Sequence, residues 1–511
     1  MFGKQCARTA VAVGAVLALA TACSHGDAAQ PTETHSSQAA PAPVVPAPPP
    51  PPPPPPTLPP VAPNPYDFST VSTLIDDAIA ANRLPGAVVQ IGHGGQVVFR
   101  KAYGERKLAG EPGLDASPAP AEPMTEDTIF DLASLTKPFA TAPAVMQLYE
   151  QGKVQFDDPV QKYLPDFNPT NDPVRAEVTV RMLLTHTSGE TGDVELKDPW
   201  GLAQVDREEG FRRALTTPLE SAPGAGFRYS DINFILLGLM VEKLTGAAED
   251  DYVQQNIFAP LGMTETRYLP AAKACGPHGM RGAAIAWEPA TAGFAPAECP
   301  ADTWSMSLLP RVAPTARDEE SRAEPDKNPD IDYLLRGAVN DTTARRMGGV
   351  AGHAGVFSTA NDVGIYAQAL LDRLAGRPSA YPLTQETLQL MTTPQQPGHS
   401  EGQIEAANDA ERAAAPNPTD PLLAPHYPAI RGQNLRGFGW DIDTGQSVPR
   451  GRAFPIGSFG HTGFTGTSIW IDPGSDSYVV LLTNSIHTRG SPPASKLRGD
   501  VATAAAQALG L

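Results

Sequence analysis

Ser458-Phe459-Gly460-His461-Thr462-Gly463-Phe464-Thr465-Gly466 runs through Thr467 into Ser468-Ile469-Trp470-Ile471. Asp472-Pro473-Gly474-Ser475-Asp476 follows, and then Tyr478-Val479-Val480-Leu481-Leu482-Thr483. Two β-branched and aromatic runs around a Pro-Gly-Asp turn predict a strand pair. The glycines at its mouth let another backbone approach closely. At the other end of the folded chain, residues 86–91 and 96–103 read as two strands around His93-Gly94-Gly95, a hairpin signal. Before them, Phe68, Val71, Leu74, Ile75, Ala78 and Ile79 recur at helical spacing, and Leu84-Pro85-Gly86 stops that helix. Apolar helical runs at 145–149, 211–215 and 232–244 make the region 128–261 helix-rich, and a last helix is predicted over 493–509. Strands at both ends with helices between them predict one mixed sheet built from the two termini, with a helical lobe inserted. Residues 271–309 and 393–431 lack an apolar period and read as long surface excursions.

The chain has 511 residues, with 38 Lys and Arg against 56 Asp and Glu and a net charge of −18. That balance argues against a nucleic-acid partner and against docking on anionic lipid through a basic patch. Of the 55 prolines, sixteen fall among the 25 residues 41–65. Such a run excludes helix and sheet interior. Lys4 and Arg8 precede a small-residue apolar run over 10–22, too short to span a bilayer and laid out as an export signal. Ala20-Thr21-Ala22 fits ordinary signal cleavage, and Leu19-Ala20-Thr21-Ala22-Cys23 resembles a bacterial lipobox. The expectation is a signal peptide over 1–22, a lipid on Cys23, a proline-rich tether over 23–65 and one folded body over 66–511. Polyproline rises about 3.1 Å per residue, so 25 residues reach about 75 Å. The alternative is a plain secreted protein with no lipid. Lipidation of Cys23 would leave Cys275 and Cys299 as an even pair, for which an oxidising compartment favours a disulfide over two free thiols.

Three short strings carry chemistry. In Ser134-Leu135-Thr136-Lys137, a serine and a lysine three apart on a helix share one face. A serine is a poor nucleophile until a neighbouring base takes its proton, and a helix start favours oxyanion charge. Pro138 fits a first turn, whereas Pro143 predicts a kink or break. In Tyr229-Ser230-Asp231, a phenol near a lysine can serve as a general base. The third string is His461-Thr462-Gly463-Phe464, at the mouth of the strand pair. His186 and His353 sit among glycines that mark tight turns, so both read first as structural and second as site walls. Thr359-Ala360-Asn361-Asp362 reads as a helix cap. The ten histidines are scattered without His-Glu-x-x-His, and no string points to a metal or cofactor.

In this order the three strings resemble the serine β-lactamase and penicillin-binding protein superfamily. Leu183-Leu184-Thr185-His186-Thr187-Ser188-Gly189, Gly348-Gly349-Val350-Ala351-Gly352-His353-Ala354-Gly355 and the 458–466 string are similar to its class C-like branch. That branch holds class C β-lactamases, DD-peptidases, D-aminopeptidases and family VIII carboxylesterases. The resemblance implies an α/β fold of the α+β type: a mainly antiparallel sheet flanked by helices, plus an all-helical lobe. It implies Ser134 as nucleophile, Lys137 assisting its deprotonation and Tyr229 as general base. It further implies the backbone N–H groups of Ser134 and Phe464 as oxyanion hole, with Asp231, His461, Thr462 and Gly463 binding substrate.

Two positions depart from that pattern. Asp231 stands where the family usually has Asn, and His461 where many members have Lys. A carboxylate offers acceptors only, repels a substrate carboxylate and can hold Lys137 charged. Histidine is an uncertain anion anchor. Both changes favour an esterase or D-amino-acid peptidase over a strong β-lactamase. The expectation is therefore an exported serine hydrolase, acting through an acyl-enzyme on a small ester, amide or β-lactam. It would be tethered by its lipid to a bacterial envelope membrane, periplasmic or outer. The alternative is a non-catalytic or weakly catalytic envelope lipoprotein that binds peptidoglycan-like peptides in the same cleft.

Overall fold

The computed structural model describes residues 58–287, 299–414, 427–491 and 493–511. The signal, Cys23 and most of the tether expected from the sequence lie outside the described residues.

The main sheet joins the two ends of the chain. Its N-terminal strands are β1 (Gly86–His93), β2 (Gln96–Lys107) and the short β3 (Glu122–Pro123). Its C-terminal strands are β4 (Leu435–Arg436), β5 (Asp441–Asp443), β6 (Phe459–Thr462), β7 (Ser468–Asp472) and β8 (Ser477–Thr483). The spatial order is β4-β5-β6-β7-β8-β1-β2-β3. The seam between the termini is the β1–β8 ladder, with Ala87 opposite Thr483 and His93 opposite Ser477. Every ladder of this sheet is antiparallel, so the mixed sheet inferred from element order is corrected to an antiparallel one. Gly94 and Gly95 take φ of +58° and +80°, the left-handed pair a two-residue hairpin requires.

Helices cover both faces, which is why Tyr478–Leu482 is apolar throughout rather than alternating. Helices α1 (Ser69–Ala80) and, at the C-terminus, α5 (Ser495–Leu509) lie on one face. There Val71, Ile75, Val501 and Ala505 meet Ala87, Val89, Ile91 and Leu481. On the other face Val88, Val480 and Leu482 join a larger core. It includes α2 (Ala142–Glu150), α3 (Asp231–Thr245) and α4 (Ala360–Leu374). Thr359 caps α4 by accepting from the Asp362 N–H at 3.2 Å.

The helix break foreseen at Pro143 takes the form of a π turn, Lys137–Thr141, leading into α2. In that register the Pro138 carbonyl would seek the N–H of residue 143, which proline lacks. The Tyr366 hydroxyl donates to it instead, at 2.6 Å.

The described residues of the two excursions hold more regular structure than composition implied. In the first, Ala274–Cys275 pairs with Trp304–Ser305, and His278–Arg281 forms a hairpin with Ala284–Trp287. Cys275 and Cys299 are joined as a disulfide, Cα to Cα 5.8 Å. The second contains a helix, Gln403–Ala414. Its inward row is Ile404, Ala407, Asn408 and Glu411, at proper helical spacing. Two of the four are polar: Asn408 Nδ2 donates to the Ile456 carbonyl at 2.8 Å, and Glu411 pairs with Arg450 at 3.0 Å. A search for apolar periodicity passes over such a row.

Candidate active site

Ser134 lies in a tight turn, Ala133–Leu135, that opens the π turn and α2. The turn is strained, because Ala133 has φ +48°. Asp131 holds it, one carboxylate oxygen accepting from Ala133 N–H at 2.9 Å and the other from Asn340 N–H at 2.7 Å. Burial raises the Asp131 pKa to about 6.

Lys137 is fully buried one turn on from Ser134. Its Nζ donates to Ser134 Oγ at 3.1 Å, to Asp231 Oδ1 at 2.6 Å and to the His353 carbonyl at 3.1 Å. Three partners saturate an ammonium. Burial alone would lower its pKa, but Asp231 and then Tyr229 outweigh that, and the ammonium is held above its ordinary value. Lys137 is therefore a donor to Ser134 Oγ, and the serine proton must leave by another route.

Tyr229 stands beside the lysine. Its ring lies 4.9 Å from Lys137 Nζ. Its hydroxyl is buried and interacts with Lys137 and Ser134, both of which favour its ionised form. Burial raises the phenol pKa; Lys137 lowers it, Asp231 raises it, and the net shift is upward. Asp231 thus holds Lys137 charged while opposing the help that charge gives a phenolate.

The two histidines read first as structural both line this site. His186 stacks on Tyr229, ring centres 4.4 Å apart, and its Nδ1 accepts from the Ser230 N–H at 3.1 Å. It fixes the turn that presents Tyr229. Burial, Arg436 and Lys137 push its pKa well down, so it is neutral. His353 supplies the carbonyl that binds Lys137, while its Nε2 meets Asp341 at 2.8 Å. Burial opposes charge on His353, but Asp341 outweighs it, so its pKa is raised. Asp193, nearby, is pushed up to about 7 by burial and by Asp341 and Asp231.

The third string forms the opposite wall. Gly463 packs so tightly on the turn that holds Ser134 that a Cβ would fall 2.4 Å from the Leu132 carbonyl. Thr465 and Thr467 hydroxyls donate to the carbonyls of Asp131 (2.8 Å) and Leu132 (3.0 Å). Phe464 N–H donates to no described group, and the Phe464 ring is 77% exposed at the rim. His461 is 3% exposed, with Nδ1 on the Thr462 carbonyl at 2.8 Å. Burial, Arg436 and Lys137 drive its pKa well below the usual value. It brings no cationic anchor to the position where many β-lactamases and penicillin-binding proteins have lysine.

The structure thus brings together Ser134, Lys137, Tyr229, Asp231, His461, Thr462, Gly463 and Phe464. Cys275 and Cys299 take no part. Sequence reading missed Asp131, Asp341 and Arg436. Asp131, three residues before Ser134, was within reach of a local reading. Arg436, buried beside Phe227 at 5.5 Å with no hydrogen bond on its guanidinium nitrogens, had no local signal. Among the described residues no cluster of His, Cys, Asp and Glu could hold a metal ion.

The model of the Beta-lactamase family matches residues 71–503. A protein of Escherichia coli (strain K12) named "Putative D-alanyl-D-alanine carboxypeptidase" is 29% identical over 408 residues, 78% of each chain. A Bacillus subtilis (strain 168) "N-acetylmuramyl-L-alanine amidase" is 30% identical over 428 residues, 82% of this chain and 81% of that one. Among solved structures, simvastatin synthase (LovD) from Aspergillus terreus superposes with a TM-score of 0.56 at 21% identity. The match covers 86% of this chain and 98% of that one, a likeness of fold.

Proposed function

The chain belongs to the Beta-lactamase family of serine hydrolases, and we propose that Ser134 attacks a small ester or amide to form an acyl-enzyme that water then resolves. The observation that carries this is the Lys137 ammonium, 3.1 Å from Ser134 Oγ and saturated by Asp231 and the His353 carbonyl. It stabilises the alkoxide without accepting the proton. Tyr229 in its phenolate form takes that proton as general base, becomes the phenol, and returns the proton to the leaving group. The backbone N–H groups of Ser134 and Phe464 receive the oxyanion.

For substrate we propose esters and D-amino-acid amides or peptides in preference to β-lactams. Asp231 repels an anion beside Lys137, and neutral His461 offers none of the attraction of a lysine. Relatives named for D-alanyl-D-alanine and N-acetylmuramyl-L-alanine bonds support the amide side of this reading. The N-terminal sequence supports export, lipidation at Cys23 and a tether over residues 23–65, which would place the site at the cell envelope.

The test is a substrate panel on purified protein beside Ser134→Ala. We expect turnover of p-nitrophenyl esters and D-alanyl peptides, lost in Ser134→Ala, and slow turnover of a chromogenic cephalosporin. Cephalosporin hydrolysis faster than ester hydrolysis would overturn the substrate preference.

A further inference from the structure

The peptide unit between Gly463 and Phe464 faces two ways. Its N–H, on Phe464, is the oxyanion donor in the reading above, on which this inference rests. Its carbonyl, on Gly463, points to the opposite side of the same rigid plane. There it accepts from Arg498 Nη2 at 2.6 Å and, less closely, from the Gly466 N–H at 3.1 Å. Arg498 projects from α5 and is 8% exposed. No carboxylate pairs with it among the described residues, and its Nε has no partner there. Burial lowers its pKa to about 10, which leaves it a cation at neutral pH. A buried cation without a counter-ion is costly, and removing one partner of such a group usually costs stability. Among the described residues the only hydrogen bond its guanidinium donates is the one to Gly463.

We propose that Arg498 is a positioning residue that orients and polarises the Gly463–Phe464 peptide for its work as oxyanion donor. A charged hydrogen bond on a carbonyl strengthens the N–H of the same amide, since hydrogen bonds in a chain polarise one another. It also fixes the rotation of the amide plane. The Thr465 and Thr467 bonds to Asp131 and Leu132 set how far the loop stands from Ser134, but neither touches that peptide. Arg498 comes from a helix on the far face of the sheet, so α5 reaches the chemistry through one side chain.

The test compares full-length wild type, R498M and R498K on a p-nitrophenyl ester and on its thionoester, in which sulfur replaces the carbonyl oxygen. Active sites are counted by fluorophosphonate titration, so unfolded protein does not enter the rates. Sulfur is a weak acceptor, so a strong oxyanion donor favours the ester. R498M is expected to lose about tenfold to a hundredfold in kcat with KM changed less than about twofold. Its ester-to-thionoester ratio should fall by about tenfold, with R498K between it and wild type. Should R498M not fold, the R498K ratio decides. An unchanged ratio in the folded variants overturns the role of Arg498, whatever happens to kcat or thermal stability. A wild type that takes no fluorophosphonate overturns the serine-hydrolase reading itself, and this inference with it.

Discussion

Asp231 sets the charge of the reacting group. It lies 2.6 Å from Lys137 Nζ and opposes ionisation of Tyr229. Asp231→Asn keeps the shape and removes the charge. With Lys137 still charged through its other partners, the phenol then ionises more readily, so the acidic limb of kcat/KM should move to lower pH. Glu at this position should leave the limb near its wild-type place. A pH–rate profile on a neutral ester checks this, and an unmoved limb in Asp231→Asn would remove Tyr229 from the role of base. Ser134, Lys137 and Tyr229 were legible as a set through the family that their three strings together resemble; alone, Ser-x-x-Lys often arises by chance and a tyrosine is more often a core aromatic. The charge states were not legible. Arg436 depresses His461 and His186 from 25 and 250 positions away in the chain, and only the fold reveals that proximity.

At the scale of elements, the site depends on close backbone approach. Gly352 packs against α3 so closely that a Cβ would lie 2.0 Å from the Phe234 carbonyl. The next residue, His353, supplies the carbonyl that binds Lys137. Gly352→Ala must push the 348–355 loop away from α3, and is expected to cost about 2 kcal/mol of stability. Labelling of Ser134 should slow at temperatures where the variant is still folded. Denaturant unfolding paired with labelling rates checks both, and wild-type labelling in a destabilised variant would show that the loop position does not matter. The glycines were legible as turns, but not as this contact. The main strands and helices were legible because both sheet faces are buried, which writes long apolar runs into β1 and β8. The helix Gln403–Ala414 was not, because half its inward row is polar and satisfied by hydrogen bonds and an ion pair.

At the scale of the molecule, several buried carboxyl groups couple stability to pH. Thr141 Oγ1 lies 2.6 Å from Glu249 Oε1 and 2.7 Å from the Gly352 carbonyl. One hydroxyl has one proton, so when Thr141 donates to Gly352, Glu249 must be protonated and donate to Thr141. Burial raises its pKa from 4.5 to about 7, in keeping with that. The sign follows from linkage: a carboxyl raised in the folded state contributes stability fully below about 4.5, and loses it as pH rises through about 7. Glu190 and Asp193, also raised to about 7, act in the same sense. These carboxyl groups push Tm down between pH 5 and pH 8, against the buried neutral His186 and His461, which push it up over the same range; in Glu249→Gln the downward part should be smaller than in wild type. Equal slopes in the two proteins would show that Glu249 is ionised throughout.

The central claim is that Ser134 is a nucleophile armed by Lys137 and Tyr229. Intact-mass and peptide analysis after treatment with a fluorophosphonate tests it most directly. One adduct per chain, mapped to the peptide holding Ser134 and absent from Ser134→Ala, is the result the account predicts. An unlabelled wild type, or a Ser134→Ala variant labelled to the same extent, would contradict it.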